Sequence, residues 1–328
     1  MAVYTTIDNP ELYFQTVLYS GNETDDTAIT FDNTDTSMQP DFVWNKNRAS
    51  AGYEHHVVDS VRGVTKILRV STNRNEFTNA STLKSFDSNG FTLGDASYMN
   101  VIESSYANAQ VSWCWKESAD AGFDIVLYTG TGSAKTEAHS LSAVPHFIIV
   151  KNRTDANDWT VYHHKNTAAP ETDYLILDTN AATADDATAW NDTAPTSSVF
   201  SVGTSNPTNE NTDSLIAYLF SEKQGFSKFG SYEGNGNADG TFVYTGFRPA
   251  FVMTKSIDST SAWEMFDNKR EGYNVDNDAL VADTNAAEAT TDQIDLLSNG
   301  FKLRIATDPN VAETYIYAAF AEAPFVNS

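Results

Sequence analysis

The groups in this chain that could do chemistry are six histidines, one cysteine and 44 acidic side chains. Two histidine pairs, His55-His56 and His163-His164, invite a metal reading. Neighbouring residues on a strand point to opposite faces, so such a pair does not supply two ligands to one ion. The ligand spacing of a structural zinc site is absent. Cys114 lies in an apolar run whose counterparts elsewhere in the chain place Leu219 and Ala319 in its slot, so it reads as a small core hydrophobe and not as a nucleophile. No serine elbow and no phosphate-binding glycine loop occurs. A carboxylate pair of the glycosidase kind cannot be singled out, because among this many acids chance proximity is expected.

Oxygen ligands are better placed. Asn235-Gly-Asn237-Ala-Asp239-Gly240 alternates oxygen-bearing residues and closes on glycine, as a calcium loop requires. Its first position is Asn, and no bidentate glutamate follows. Asp32-Asn-Thr-Asp35 and Asp276-Asn-Asp278 are shorter versions. The sequence requires no cofactor. Ca2+ at Asn235, Asn237 and Asp239 is the one it suggests, against the plainer reading of a hydrogen-bonded turn. Among six tryptophans, Trp190 stands in the polar stretch Asp185-Asp-Ala-Thr-Ala-Trp-Asn-Asp-Thr-Ala-Pro195. With Asn191 and Asp192 it is the candidate ligand-binding group, the alternative being a ring packed under its own loop.

The elements that must position these groups come in three copies. Pro40-Asp-Phe-Val-Trp-Asn-Lys46 recurs as Pro145-His-Phe-Ile-Ile-Val-Lys151 and Pro249-Ala-Phe-Val-Met-Thr-Lys255, at steps of 105 and 104 residues. Tyr-x-Gly recurs at Tyr19/Gly21, Tyr128/Gly130 and Tyr232/Gly234, and a phenylalanine at Phe91, Phe200 and Phe301. Each copy closes on an apolar strand and a glutamate, Glu117, Glu222 or Glu322. The units are 1–121, which is also the candidate attachment unit, 122–224 and 225–328, joined by short glycine-bearing segments. Their apolar runs are short, β-branched or aromatic, and separated by Asn, Thr, Ser and Asp, which predicts strands and turns. Asn180–Thr188 and Asn285–Asp292 are the best helix candidates, at about one turn. The expected fold is all-β, three tandem antiparallel sandwich or jelly-roll-like units packed as one rigid body. Trp159 and Trp263 occupy one slot and are structural. Lys46, Lys151 and Lys255 share another, where an ion pair with a carboxylate of the same unit is expected.

Several longer stretches resemble a family. Met1-Ala-Val-Tyr-Thr-Thr-Ile-Asp-Asn-Pro10, Ser85-Phe-Asp-Ser-Asn-Gly-Phe-Thr-Leu-Gly94, Trp113-Cys-Trp-Lys-Glu117 and Phe226-Ser-Lys-Phe-Gly-Ser-Tyr-Glu-Gly234 are similar to virion proteins of marine tailed phages, of cyanophage and pelagiphage type. Such proteins are labelled structural or tail-fibre-like. The resemblance implies a non-enzymatic virion component and carries over no catalytic residue. It also implies that the chain continues beyond Ser328.

The bulk properties set the partners. A net charge of −24 argues against nucleic acid, whose phosphates need clustered Lys and Arg, and against an anionic membrane. No apolar run is long enough to insert into a bilayer. Expected partners are other virion proteins, further copies of the chain, with a trimer as one arrangement, and a host-surface saccharide or protein. An appendage role, tail fibre or fibre tip, is favoured over capsid decoration, and a depolymerase or secreted carbohydrate-binding protein stands behind both. Heptads and collagen-like repeats, the usual shafts, are missing.

Overall fold

The computed structural model describes residues 5–32, 37–270, 274 and 278–323. Its strands form three large sheets, each drawn from one stretch of chain. In the first, Phe14–Tyr19, Gln110–Trp115, Phe42–Asn47, His56–Asp59, Lys66–Arg69 and Phe77–Thr78 lie side by side in that order. The second runs Phe123–Thr129, Ser214–Phe220, Phe147–Asn152, Thr160–His163, Asp173–Ile176 and Ala184–Asp185, and the third repeats the order from Ser227–Glu233 through Thr314–Ala323 and Arg248–Ser256. Pairing is antiparallel throughout, and the register is shared: Trp115, Phe220 and Phe320 each lie opposite a phenylalanine of the third strand, Phe42, Phe147 or Phe251. In every unit the first strand pairs with the last, so the sheet closes where the chain enters and leaves.

A small sheet covers one face of each large one: Thr27–Thr30 with Gly90–Leu93 and Leu83–Asp87, Lys135–Ala138 with Val199–Val202, and Phe242–Tyr244 with Gly300–Leu303 and Ile294–Leu297. Between the sheets of the first unit lie Val43, Val58, Phe91, Leu93 and Cys114. The other face of each large sheet meets its neighbours. That is why Phe42–Asn47, Gln110–Trp115 and Phe147–Asn152 are buried at every position and read as unbroken runs instead of alternating ones.

The three units close a ring. Trp115, Phe220 and Phe320 meet at its centre with ring centroids 6.4, 5.4 and 5.8 Å apart, inside one core cluster that takes residues from all three units. Equivalent bonds cross each seam. Trp159 Nε1 donates to the Arg69 carbonyl at 2.9 Å and Trp263 Nε1 to that of Ile176 at 2.8 Å, while His55 fills the slot in the first unit and bonds Val281 of the third at 3.0 Å. Main-chain bonds follow the same cycle, from Glu76 N–H to Arg153, Thr183 N–H to Ile257 and Glu288 N–H to Arg48. Thus second grips first, third grips second, and first grips third.

The repeated lysines belong to these seams. Each is fully buried. Lys46 Nζ donates to the carbonyls of Tyr53 and Asn285, Lys151 to those of Asn73 and Asn157, and Lys255 to those of Asn180, Ser256 and Ser259. The expected ion pair within each unit is therefore replaced by backbone oxygens, one of them from the neighbouring unit. Carboxylates seal two seams through the arginines two residues on: Arg153 bonds Glu76 at 2.8 Å and Arg48 bonds Glu288. At the third seam the same slot holds Ile257, half-buried against the core.

Two helix expectations are corrected. Asn180–Thr188 gives the strand Ala184–Asp185 followed by a short helix, Ala187–Trp190, and Asn285–Asp292 holds no helix. The reason is the seam: the Asn180 carbonyl accepts from Ser261 N–H and the Asn285 carbonyl from Gly52 N–H, so these backbones are not free to bond within a helix.

Candidate functional site

Trp190 is not a surface residue. It is 2% exposed, and its ring packs 5.9 Å from Tyr162 between the two sheets of the second unit. Asp186 caps the helix, accepting from Thr188 N–H at 2.8 Å, and Asn191 ends it in the left-handed conformation at φ 56°. The polar neighbours that made Trp190 resemble a ligand loop are helix caps. Asn191 and Asp192 are exposed and part company with the buried indole, so the three residues form no common surface.

In the calcium-loop candidate the side-chain oxygens make local hydrogen bonds. Asn235 Oδ1 accepts from Asn237 N–H at 3.0 Å and from Asn310 Nδ2 at 2.9 Å, and Asn237 Oδ1 accepts from Asp239 N–H at 2.9 Å. Asp239 pairs with Lys302. These bonds are those of a hydrogen-bonded turn, the plainer of the two readings. Asn310 has fully buried counterparts in Asn100 and Asn209. Each donates to two loop carbonyls and accepts a backbone N–H from the segment after Tyr-x-Gly, from Asn22, Thr131 or Asn235. Residues 33–35 and 276–277 of the two shorter acidic loops lie outside the described residues.

Other chemical groups are also spent on structure. Cys114 is fully buried, and burial pushes its thiol well up. The carboxylates of Asp155, Glu210 and Asp213 lie within 4.8 Å of one another. Glu210 and Asp213 accept from Asn152 at 3.2 and 2.8 Å, and the same bond recurs as Asn47 to Glu103 and Ser256 to Glu313, so the cluster is a repeated tie. Burial takes the imidazole of His56 down to about 3, and neither of its ring nitrogens is bonded. His163 does not oppose His164. The strand ends at His163, and both rings turn to the third unit, His163 to the Tyr317 carbonyl at 3.2 Å and His164 to that of Phe229 at 2.7 Å.

That contact floors a groove of about 550 Å³ between the second and third units. His146 lies 4.5 Å from His164, centroid to centroid, and its Nδ1 accepts from Glu222 N–H at 3.0 Å. Burial, and then the Lys165 charge, hold the His146 imidazole below its usual range. The far wall is aromatic. Phe242 is 46% exposed and Tyr244 56%, on an edge strand of the small sheet, with Lys228 Nζ 6.0 Å from the Tyr244 ring centre. A pocket of mixed polarity with aromatic and cationic walls is equipped to bind a small ligand.

The family's profile matches residues 9–324. The chain belongs to the family described as domain of unknown function DUF7483. No curated protein and no solved structure matches it. The match spans all three units of this DUF7483 chain, so the family corresponds to the whole ring and not to one repeat. The groove is not legible in the sequence because its residues come from six separate segments. A signal existed: Phe242 and Tyr244 are large aromatics at slots where the other units carry small residues.

Proposed function

We propose that this chain is a non-enzymatic structural component of a tailed-phage virion, set in an appendage, a tail fibre or fibre tip, where it meets the host surface. The observation that carries this reading is the closed ring: one polypeptide builds the three-way aromatic junction of Trp115, Phe220 and Phe320, with crossing bonds at every seam. Such a body is stiff, because movement of one unit breaks two seams. It offers a threefold-like face to a symmetric partner without needing three chains. The resemblance to marine tailed-phage virion proteins supports the same placement, and so does the surface charge, which sea salt screens within about 4 Å. Cys114 is buried in the core, His55 and His163 bond backbone carbonyls, and Glu210 and Asp213 bond Asn152, and these structural uses favour a building block over a depolymerase.

The test is made on purified particles of the phage that encodes the chain. Mass spectrometry is expected to detect it, and an antibody against it to label the tail in electron micrographs. Label on the head moves the protein to capsid decoration. Absence from particles overturns the virion reading.

A further inference from the structure

The ring makes three equivalent places where a first strand meets the preceding unit, and they are not alike. At the seam of the first and second units the place is built from Asp41, Ser60, Glu117 and Asp124. Ser60 bonds Asp41 at 2.9 Å, Glu117 N–H bonds Asp41 at 2.9 Å, and Ile125 N–H bonds Glu117 at 3.1 Å. The last of these bonds crosses the seam. At the seam of the third and first units Ala250, Asn268 and Gln15 hold the corresponding positions, a space of only about 20 Å³ remains, and Lys269 turns away to Asp32 at 3.3 Å.

The remaining place is the groove. His146 replaces Asp41, His164 replaces Ser60, Lys165 replaces Val61 and Lys228 replaces Asp124, by the common strand register. Three carboxylates in one copy become one carboxylate and two ammonium groups in the other. On the small sheet, Phe242 and Tyr244 align with Ala28 and Thr30 of the first unit and with Thr136 and Ala138 of the second. Only the groove copy carries aromatics there, and both are left exposed. In a chain of net charge −24, a wide pocket with two lysines and a bare aromatic wall is a departure from both its copies and its surroundings.

From this symmetry breaking we infer that the groove between the second and third units binds an acidic oligosaccharide, a chain of sugar rings carrying carboxylates. The C–H face of a sugar ring lies on the Tyr244 and Phe242 rings, and Lys165 and Lys228 meet the carboxylates by charge complementarity. The volume is within the range of about 300–1,000 Å³ that holds small ligands, enough for roughly two or three sugar rings. The inference rests on the proposal that the protein meets a host surface and names what it takes there.

The test is calorimetric titration of the full chain with trigalacturonate, trimannuronate and neutral maltotriose. Saturable one-to-one binding of at least one uronate trimer is expected, at least tenfold tighter than maltotriose and weakening with added salt. Tyr244→Ala, at an exposed position, is expected to weaken it at least tenfold, and Tyr244→Phe to retain it. Lys165→Ala with Lys228→Ala is expected to remove the preference for the uronate. No saturable heat with either uronate overturns the inference. So does binding that Tyr244→Ala leaves unchanged, or equal binding of maltotriose, or a hexaglutamate peptide that binds in the groove when no saccharide does. Because this is measured on the isolated chain and particle location on virions, either reading can fail without the other.

Discussion

Replacing Phe220 with alanine tests whether the ring is one cooperative body. The Phe220 ring is 5% exposed and touches units on every side: Trp115 at 6.4 Å, Phe320 at 5.8 Å, Phe123 at 4.6 Å, Phe147 at 6.0 Å and Phe229 at 6.1 Å. Truncating a buried phenylalanine costs about 3–5 kcal/mol, the upper end applying where the walls cannot collapse into the gap. These walls belong to three sheets held apart by their own ladders, and an apolar space of about 20 Å³ already lies beside the junction. A loss of about 4–5 kcal/mol is therefore expected, while Phe220→Leu, which keeps most of the volume, is expected to lose about 1 kcal/mol. The assay is guanidinium unfolding followed by 19F NMR of the chain labelled with 5-fluorotryptophan, in which the resonance of Trp263 reports the third unit while the other five tryptophans stay in place. Although the lesion is in the second unit, the Trp263 transition is expected to shift by the full amount. A loss under about 1 kcal/mol, or a Trp263 transition that stays in place while circular dichroism shifts, would refute the closed junction.

Three further outcomes are expected. Burial depresses the imidazoles of His56 and His163 to about 3, from about 6.5 in the unfolded chain. The unfolded state then binds more protons between those values, so stability falls as pH drops from 6.5 to 3, by up to about 1.4 kcal/mol per pH unit for each histidine. Glu264, raised to about 8 by burial, works the other way: its stabilisation is full below about 4.5 and fades as pH rises to 8. Acid unfolding is thus expected below about pH 4.5, read by circular dichroism, and His56→Leu should flatten it; an unchanged slope counts against the histidine account. Asn209→Ala strips partners from Thr131 N–H and the carbonyls of Ser133 and Gly203, at an expected cost of about 2–4 kcal/mol in thermal unfolding, and a cost under 0.5 kcal/mol would remove its structural role. Millimolar Ca2+ is expected to move Tm by less than about 1 °C relative to a chelator, and a rise of several degrees that Asp239→Asn abolishes would restore the calcium loop.

How much of this was legible in the sequence depends on which atoms make the bond. The all-β class shows in runs such as Phe147–Asn152, because strand propensity and turn chemistry are side-chain properties. Cys114 was correctly placed in the core from the apolar residues in its sister slots. The seams were opaque for the opposite reason. Lys151 and Trp159 reach the carbonyls of Asn73 and Arg69, and every residue owns a carbonyl, so the acceptor leaves no trace in the sequence. The donors alone were visible, and a lysine among acids reads as half of an ion pair. Trp190 failed differently: Asp186 and Asn191 are the residue types of both ligand loops and helix caps, and only burial of the intervening indole separates the two. The groove's walls lie on strands far apart in the chain, brought together only when the third unit meets the second.

Covalent closure of the ring has a consequence for how its surface can change. In an assembly of three identical chains every substitution is made three times over, so a new lysine at one seam is a new lysine at all of them. Here Asp41, His146 and Ala250 are separate codons for one structural position. One seam can carry a pocket of about 550 Å³ where another carries the hydrogen bonds of Asp41 and the third only a space of about 20 Å³ beside Ala250. The expected stoichiometry is then one ligand per ring, where a true trimer would take three.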